Sequence, residues 1–167
     1  MSKGSFLVGI YNQTVMISLG GDITLQNVSP LKVFIRHLEL SQYTRIIFNL
    51  QQAVYLDSTS YGVMASLAAQ YYKHYGRKIW LVNLPADIYE QVLQFGFPQI
   101  AEMHSLDGIE IDKLKLEPLL PEEEAIQGQD ILEAHRSLIE LNPTNKMIFQ
   151  RVIELLSREI ERPGHDK

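Results

Sequence analysis

Two nearly continuous apolar runs, RIIFNL at 45–50 and KIWLVNL at 78–84, constrain the fold of this chain more than any other feature. Such runs are typical of strands that are covered on both faces of a sheet. Between them, Ser58–Tyr75 places its apolar residues on one side of a helix, and Gly76 is a typical helix C-cap. A strand, a helix and a second strand in this order predict parallel pairing through a right-handed crossover.

The segments on either side complete an alternation of strands and helices. Ser29 and Pro30 predict the start of a helix, with Ser29 as the N-cap and Pro30 as the first helical residue. The other predicted elements are an opening hairpin at 6–11 and 15–19, a short helix at Ala86–Phe95 and an edge strand at 99–103. The order β-β-α-β-α-β-α-β predicts an α/β fold, a mixed β-sheet with helices packed on it.

The character of the sequence changes after residue 104, which we take as the end of a first domain, 1–104. Residues 105–128 lack a clear period and predict a linker or a loosely docked segment. Residues 129–162 predict a C-terminal helical hairpin, with Asn142 as the N-cap and Pro143 as the first residue of its second helix. Helices of this length are marginal alone. The first domain, a second copy or a regulator must therefore cover their apolar faces.

Composition and charge argue against several classes of function. The chain has no cysteine, which excludes disulfides and thiolate sites and fits a cytoplasmic protein. Residues 1–104 carry seven basic and six acidic residues, and 105–167 carry eight and fourteen. Neither part has the clustered positive charge that nucleic-acid binding requires. The apolar runs are also too short for a membrane span.

Sequence motifs of enzymes and metal sites are absent as well. The five histidines form no H-x-x-x-H or H-E-x-x-H pair, and there is no Walker loop, G-x-S-x-G or G-x-G-x-x-G. The sequence therefore predicts a protein that is not an enzyme and that has no metal or cofactor.

The segment YLDSTSYGVM at 55–64 holds the candidate site, because it follows a buried strand and opens the next helix. Asp57 or Ser58 can cap the first turn, whose backbone amides lack partners within the helix. A hydroxyl at this position can also face solvent and accept a phosphate, which the positive helix end stabilises. The residues alone leave both roles open.

At this point the sequence resembles a known family. Residues 44–64, TRIIFNLQQAVYLDSTSYGVM, are similar to the core of STAS domains, and specifically to the anti-sigma factor antagonists of bacterial partner-switching systems. The family pattern is an apolar residue followed by Asp-Ser-Ser/Thr-Gly-Leu-Gly. The matching positions are Leu56, Asp57, Ser58, Thr59 and Gly62. The chain departs from the pattern at Ser60, usually glycine, and at Tyr61, usually leucine. The resemblance extends from Phe6 to His104.

The resemblance implies a switch in which Ser58 is the phosphoacceptor and Thr59 the fallback. A serine kinase that is itself the anti-sigma partner would modify Ser58, and a PP2C-type phosphatase would reverse the modification. The unmodified form would bind the kinase and free its other client. The implied partner-binding residues are Asp57, Ser58, Thr59, Ser60, Tyr61 and Gly62.

Two alternatives stay open from the sequence. The chain is either such a switch or a non-switching STAS scaffold subunit of a larger assembly or lipid-transport complex, in which Ser58 only caps a helix. The C-terminal helices either dock on the first domain or join two copies in a homodimer.

Overall fold

The computed structural model describes residues 3–108, 111, 114–119 and 127–160. Within these residues one sheet has the strand order β5-β4-β3-β2-β1-β6. Its strands are β1 (Ser5–Tyr11), β2 (Thr14–Ile23), β3 (Arg45–Leu56), β4 (Ile79–Val82), β5 (Ala101–His104) and β6 (Glu117–Pro118). Strands β2, β3, β4 and β5 are parallel to one another, whereas β1 is antiparallel to β2 and to β6. The predicted mixed sheet is confirmed.

The described helices are α1 (Ser29–Arg36), α2 (Ser58–Tyr75), α3 (Ala86–Phe95), α4 (Gly128–Leu141) and α5 (Asn145–Ile160). Short 3-10 turns lie at Leu40–Gln42 and Phe97–Gln99. The main apolar core fills the space between one face of the sheet and the helices. It includes Phe48 of β3, Met64 of α2, Leu138 of α4 and Phe149 of α5. The element order from β1 to β5 is the predicted one, and α4 and α5 add to the same core.

Strands β2 and β3 are longer than predicted, and this extension positions the candidate site. They run side by side until Ile23 pairs with Leu56, with irregular register near Gly21, which has φ 70°. The backbone amide of Asp57 then donates to the Ile23 carbonyl oxygen at 3.1 Å. The end of β2 therefore fixes the residue at which the chain leaves β3 and enters α2.

The start of α1 differs from the prediction. Ser29 is the first helical residue, Val28 occupies the N-cap position, and no side chain caps the helix. The preceding turn is instead held by Asn27, whose Oδ1 accepts from the Thr24 amide at 2.9 Å and whose Nδ2 donates to the Asp22 carbonyl at 2.8 Å. The prediction of Ser29 as N-cap was wrong because this turn already delivers the chain in a helical conformation.

Helices α4 and α5 form the C-terminal hairpin, in which α4 packs along α2 and α5 packs on α4. Asn142 is the C-cap of α4, and α5 begins at Asn145 rather than at Pro143 as predicted. Oδ1 of Asn142 accepts from the Thr144 amide at 3.2 Å, which closes a turn before α5 begins at Asn145. The two last residues of the predicted hairpin, 161 and 162, lie outside the described residues.

A buried asparagine holds the C-terminal hairpin to the first domain. Asn145, which is 1% exposed, donates through Nδ2 to the Phe95 carbonyl of α3 at 3.2 Å and to the Leu138 carbonyl of α4 at 2.7 Å. Other apolar residues of α5 stay exposed, among them Met147 and Ile148. The structure therefore places part of the hairpin's apolar surface against the first domain. The homodimer stays a prediction.

The apolar residues of 106–116 that the structure describes pack on the opposite face of the sheet. Leu114 is buried there with Met16 and Ile47, and β6 extends the sheet beside β1. The Leu106 amide donates to Asn83 Oδ1 at 2.9 Å. These contacts indicate a docked segment. Residues 109–110, 112–113 and 120–126 lie outside the described residues.

Candidate functional site

Asp57 is the N-cap of α2, so the predicted capping role is confirmed for this residue. Its Oδ1 accepts from the Ser60 amide at 2.9 Å, which satisfies one of the free amides of the first turn. Its other oxygen, Oδ2, accepts from the Leu25 amide at 2.8 Å. One carboxylate therefore joins the start of α2 to the loop that follows β2.

Ser58, the predicted phosphoacceptor, is the first residue of α2 and is partly exposed. Its Oγ lies 2.9 Å from Nε2 of His135, a residue of α4. The other ring nitrogen of His135, Nδ1, lies 2.7 Å from the carbonyl oxygen of Ile131. Since a carbonyl oxygen only accepts hydrogen bonds, Nδ1 carries a hydrogen. In neutral His135 the Nε2 atom therefore accepts a hydrogen bond from the Ser58 hydroxyl. Ser58 is thus engaged by the C-terminal hairpin.

The next three predicted partner-binding residues face inward. Thr59 is 2% exposed and Ser60 is fully buried, with its Oγ donating to the Ile23 carbonyl at 2.9 Å. The ring of Tyr61 packs against Phe95, with centroids 5.1 Å apart. In this arrangement their side chains pack within the chain, and a contact with another protein stays a prediction.

The hydroxyl of Tyr61 is buried without a hydrogen-bond partner among the described residues. Burial, and to a smaller extent the nearby Tyr55, raises the pKa of Tyr61 above its ordinary value. Tyr61 therefore stays neutral under ordinary conditions and serves as a large packing residue where the family has leucine.

Gly62, the last predicted partner-binding residue, lies against Ala134 of α4. A Cβ at this position would lie 2.6 Å from the Cβ of Ala134 and would also collide with the Ala134 carbonyl oxygen. Only glycine allows this contact without a shift of the helices. The structure therefore brings Ser58 and Gly62 together under one helix, α4.

The position of the His135 ring limits the chemistry that is open to this site. The Ser58 hydroxyl donates to a histidine nitrogen, as a nucleophile does to its general base. However, the ring of His135 is nearly buried and lies directly against Oγ. A reactant would have to displace that ring. Across the described ranges, no group of three or more histidine or acidic side chains could hold a metal ion. In the same ranges no helix has the length and apolar character to cross a membrane.

Sequence reasoning missed His135 and Ala134 as parts of this site. One signal was present: His135 is the polar member of an apolar helical face that includes Ile131, Leu132 and Leu138. A buried polar side chain needs a hydrogen-bond partner. The sequence could not indicate that the partner is Ser58, 77 residues earlier.

The mixed sheet, the helices on one of its faces and the serine that opens α2 define a domain of the STAS class. A model of the STAS domain matches residues 6–105, and the chain belongs to this family. The family assignment made from the motif is therefore confirmed, over nearly the same range. Among curated proteins, no sequence matches the chain.

Solved structures with the same fold include two of SpoIIAA. The anti-sigma factor antagonist SpoIIAA in its unphosphorylated form is 24% identical, with a TM-score of 0.50, and the match covers 66% of this chain and 97% of that chain. The Bacillus cell fate determinant SpoIIAA in the phosphorylated form is 20% identical, with a TM-score of 0.52. The match covers 65% of this chain and 97% of that chain. A candidate anti-sigma factor antagonist of Thermotoga maritima is 16% identical, with a TM-score of 0.54. The match covers 66% of this chain and 94% of that chain.

Proposed function

We propose that this chain is a phosphorylation-controlled protein-binding switch of a bacterial partner-switching pathway, with Ser58 as the phosphoacceptor. The observation that carries the proposal is that Ser58 is partly exposed at the amino end of α2, whereas the adjacent Thr59 and Ser60 are buried. SpoIIAA, which shares the fold, has been solved in unphosphorylated and phosphorylated forms. These two structures support the idea that a protein with this fold can exist in an unphosphorylated and a phosphorylated form.

The proposed partners follow from the same comparison. A serine kinase that also serves as an anti-sigma factor would bind the unmodified form, and a PP2C-type phosphatase would restore that form. The output would be control of transcription through the sigma factor that the kinase releases. Because the kinase uses ATP, the proposal places the chain in the cytoplasm. No catalytic step or cofactor belongs to the chain itself.

A single phosphate is strong enough to act as a switch. It adds a charge of about −1.5 to −2 next to the carboxylate of Asp57, at a surface that would meet the partner. Weakening an interface a hundredfold requires a loss of only about 2.8 kcal/mol. Repulsion between like charges and desolvation of a dianion supply energies of this order.

The test is the intact mass of the chain after incubation with ATP and the serine kinase that co-purifies with Ser58→Ala. We expect one added phosphate on the natural chain and on Ser41→Ala, a matched change at an exposed serine, and none on Ser58→Ala. Ser58→Glu should bind the kinase about a hundredfold more weakly than Ser58→Ala. A phosphate that persists in Ser58→Ala would overturn the assignment.

One observation favours a second candidate, a non-switching scaffold subunit of a larger assembly or lipid-transport complex. The Ser58 hydroxyl is engaged within the chain by His135, as expected for a purely structural side chain. In that case Ser58→Glu would retain all partners of the natural chain, and no kinase would add a phosphate. The binding comparison above separates the two candidates.

A further inference from the structure

We propose that the C-terminal hairpin is an autoinhibitory cover, and that a phosphate on Ser58 and the docked helix α4 exclude each other. This inference deepens the proposed function and rests on it. In the closed form that the structure shows, His135 holds the Ser58 hydroxyl and α4 lies on α2 at Gly62. In an open form the hairpin leaves this face, and kinase and partner gain access to it.

Helix α4 covers Ser58 on the side of its hydroxyl group. Nε2 of His135 lies 2.9 Å from Oγ of Ser58. The Ile131 carbonyl holds the ring at Nδ1, and the ring of Phe149 packs against it in a T-shaped arrangement with centroids 5.1 Å apart. A phosphoryl donor approaching from this direction meets α4 and α5 before it reaches the hydroxyl.

A phosphate on Ser58 needs more space than the hydroxyl group that it replaces. Phosphorylation replaces the hydroxyl hydrogen by a group with three further oxygens. His135 is 4% exposed and its ring already contacts Oγ, so the closed form leaves no room on that side. The phosphate would therefore favour the open form.

The cover is also attached through contacts that do not involve Ser58. Lys32 of α1 lies 3.5 Å from Glu133 and 3.9 Å from Asp130. Asn145 anchors the other end of the hairpin to the Phe95 carbonyl. The closed form is held by these polar contacts and by the packing of Leu138 and Phe149 in the main core. A ligand or modification that differs in affinity for the two forms shifts their populations.

The decisive experiment measures the hairpin without any kinase. Amide hydrogen exchange is followed by mass spectrometry in the full chain and in Ser58→Glu, Ser58→Ala and Ser41→Glu. Glutamate is favourable at the first position of a helix, so α2 itself should remain folded in Ser58→Glu. We expect α4 to exchange at least about tenfold faster in Ser58→Glu, within about fivefold of the natural rate in Ser58→Ala, and unchanged in Ser41→Glu.

The inference is overturned if α4 is equally protected in Ser58→Glu and Ser58→Ala while β3 and β4 keep their protection in both. That result bears on the cover alone. A chain that opens in Ser58→Glu but never accepts a phosphate would instead end the proposed function and leave the coupling between Ser58 and α4 standing.

A second variant, Gly62→Ala, should open the cover by disturbing the contact between Gly62 and Ala134. Gly62→Ala places a methyl group against the Ala134 backbone, yet alanine suits the interior of α2 better than glycine. Gly108→Ala is the matched control, because nothing lies within 4 Å of a Cβ at that position. We expect faster exchange in α4 and a rate of Ser58 phosphorylation at least about tenfold higher in Gly62→Ala only. An unchanged phosphorylation rate in a Gly62→Ala chain whose α4 exchanges freely would contradict the cover.

Discussion

The Asp57 carboxylate accepts a 2.8 Å hydrogen bond from the backbone amide of Leu25, 32 residues earlier in the chain. The same side chain caps α2 through the Ser60 amide. Asp57 therefore joins two segments that flank Ser58, and its first role is structural. A loss of partner binding after a change at Asp57 would not by itself show a direct contact with the partner.

We expect Asp57→Ala to lower the free energy of unfolding by about 2 kcal/mol, since it removes a helix cap and a second charge-assisted hydrogen bond. Asp57→Asn keeps one acceptor oxygen for the cap and should lose about half as much. Urea denaturation measures both. Asp87→Ala, at an exposed acid in the first turn of α3, is the control and should change stability by less than about 0.5 kcal/mol. Equal losses at the two positions would contradict the joining role of Asp57.

Thr59 is the fallback acceptor of the sequence analysis, and the structure argues against its use. Because its side chain is 2% exposed, a kinase could reach it only after the first turn of α2 unfolds. We expect Ser58→Ala to carry no phosphate on Thr59 or Ser60 after prolonged incubation with kinase and ATP. Peptide mapping by mass spectrometry checks this. Phosphate on Thr59 in a folded Ser58→Ala chain would show that the turn opens readily.

Asn145 should decide how firmly the C-terminal hairpin is held. Asn145→Ala leaves the carbonyls of Phe95 and Leu138 without this donor in a buried place, a loss of about 1–3 kcal/mol. We expect faster proteolytic cleavage between α4 and α5, while the strands stay protected. Lys146→Ala, at the exposed neighbouring residue, should leave the cleavage rate unchanged. A hairpin that resists protease equally in both variants would indicate that apolar packing alone holds it.

Tyr61→Phe should raise the free energy of unfolding by about 1 kcal/mol, because it removes a buried hydroxyl without a partner. Urea denaturation at neutral pH measures this change. Tyr72→Phe, at an exposed tyrosine of the same helix, should change little. A loss of stability in Tyr61→Phe would mean that the hydroxyl has a favourable contact.

The raised pKa of Tyr61 also predicts a pH dependence. Above pH of about 10 the unfolded chain releases this proton while the folded chain keeps it, so the unfolded state binds fewer protons. Ionisation of Tyr61 therefore does not change the free energy of unfolding below pH of about 10. As the pH rises further, it lowers the free energy of unfolding by at most about 1.4 kcal/mol per pH unit. Denaturation between pH 9 and 11 should show a shallower decline in Tyr61→Phe. The same slope in both chains would contradict the prediction.

The sequence predicted the elements that depend on local chemistry. The bounds of α2 follow from a cap at Asp57 and from Gly76, which has φ 65°, and the structure has the helix between them. The end of β3 was not predicted beyond residue 50. Its last part follows β2 as far as Ile23, and such long-range pairing leaves no apolar run in the sequence.

The arrangement around Ser58 could be predicted only in part. The resemblance identified the serine, and the amphipathic pattern of 129–141 showed that a helix needed a cover. Which surface provides the cover depends on shape complementarity, here the absence of a side chain at Gly62 opposite Ala134. A pattern of apolar residues carries no information about that fit, so His135 could not be assigned to Ser58.

Among the described residues, the Asp57 carboxylate accepts hydrogen bonds from Leu25 and Ser60 and none from the C-terminal hairpin. The peptide that presents Ser58 should consequently keep one shape whether α4 is attached or detached. An incoming kinase would meet a rigid epitope and would lose no affinity to ordering it. The rate of modification would then report how often the chain uncovers itself.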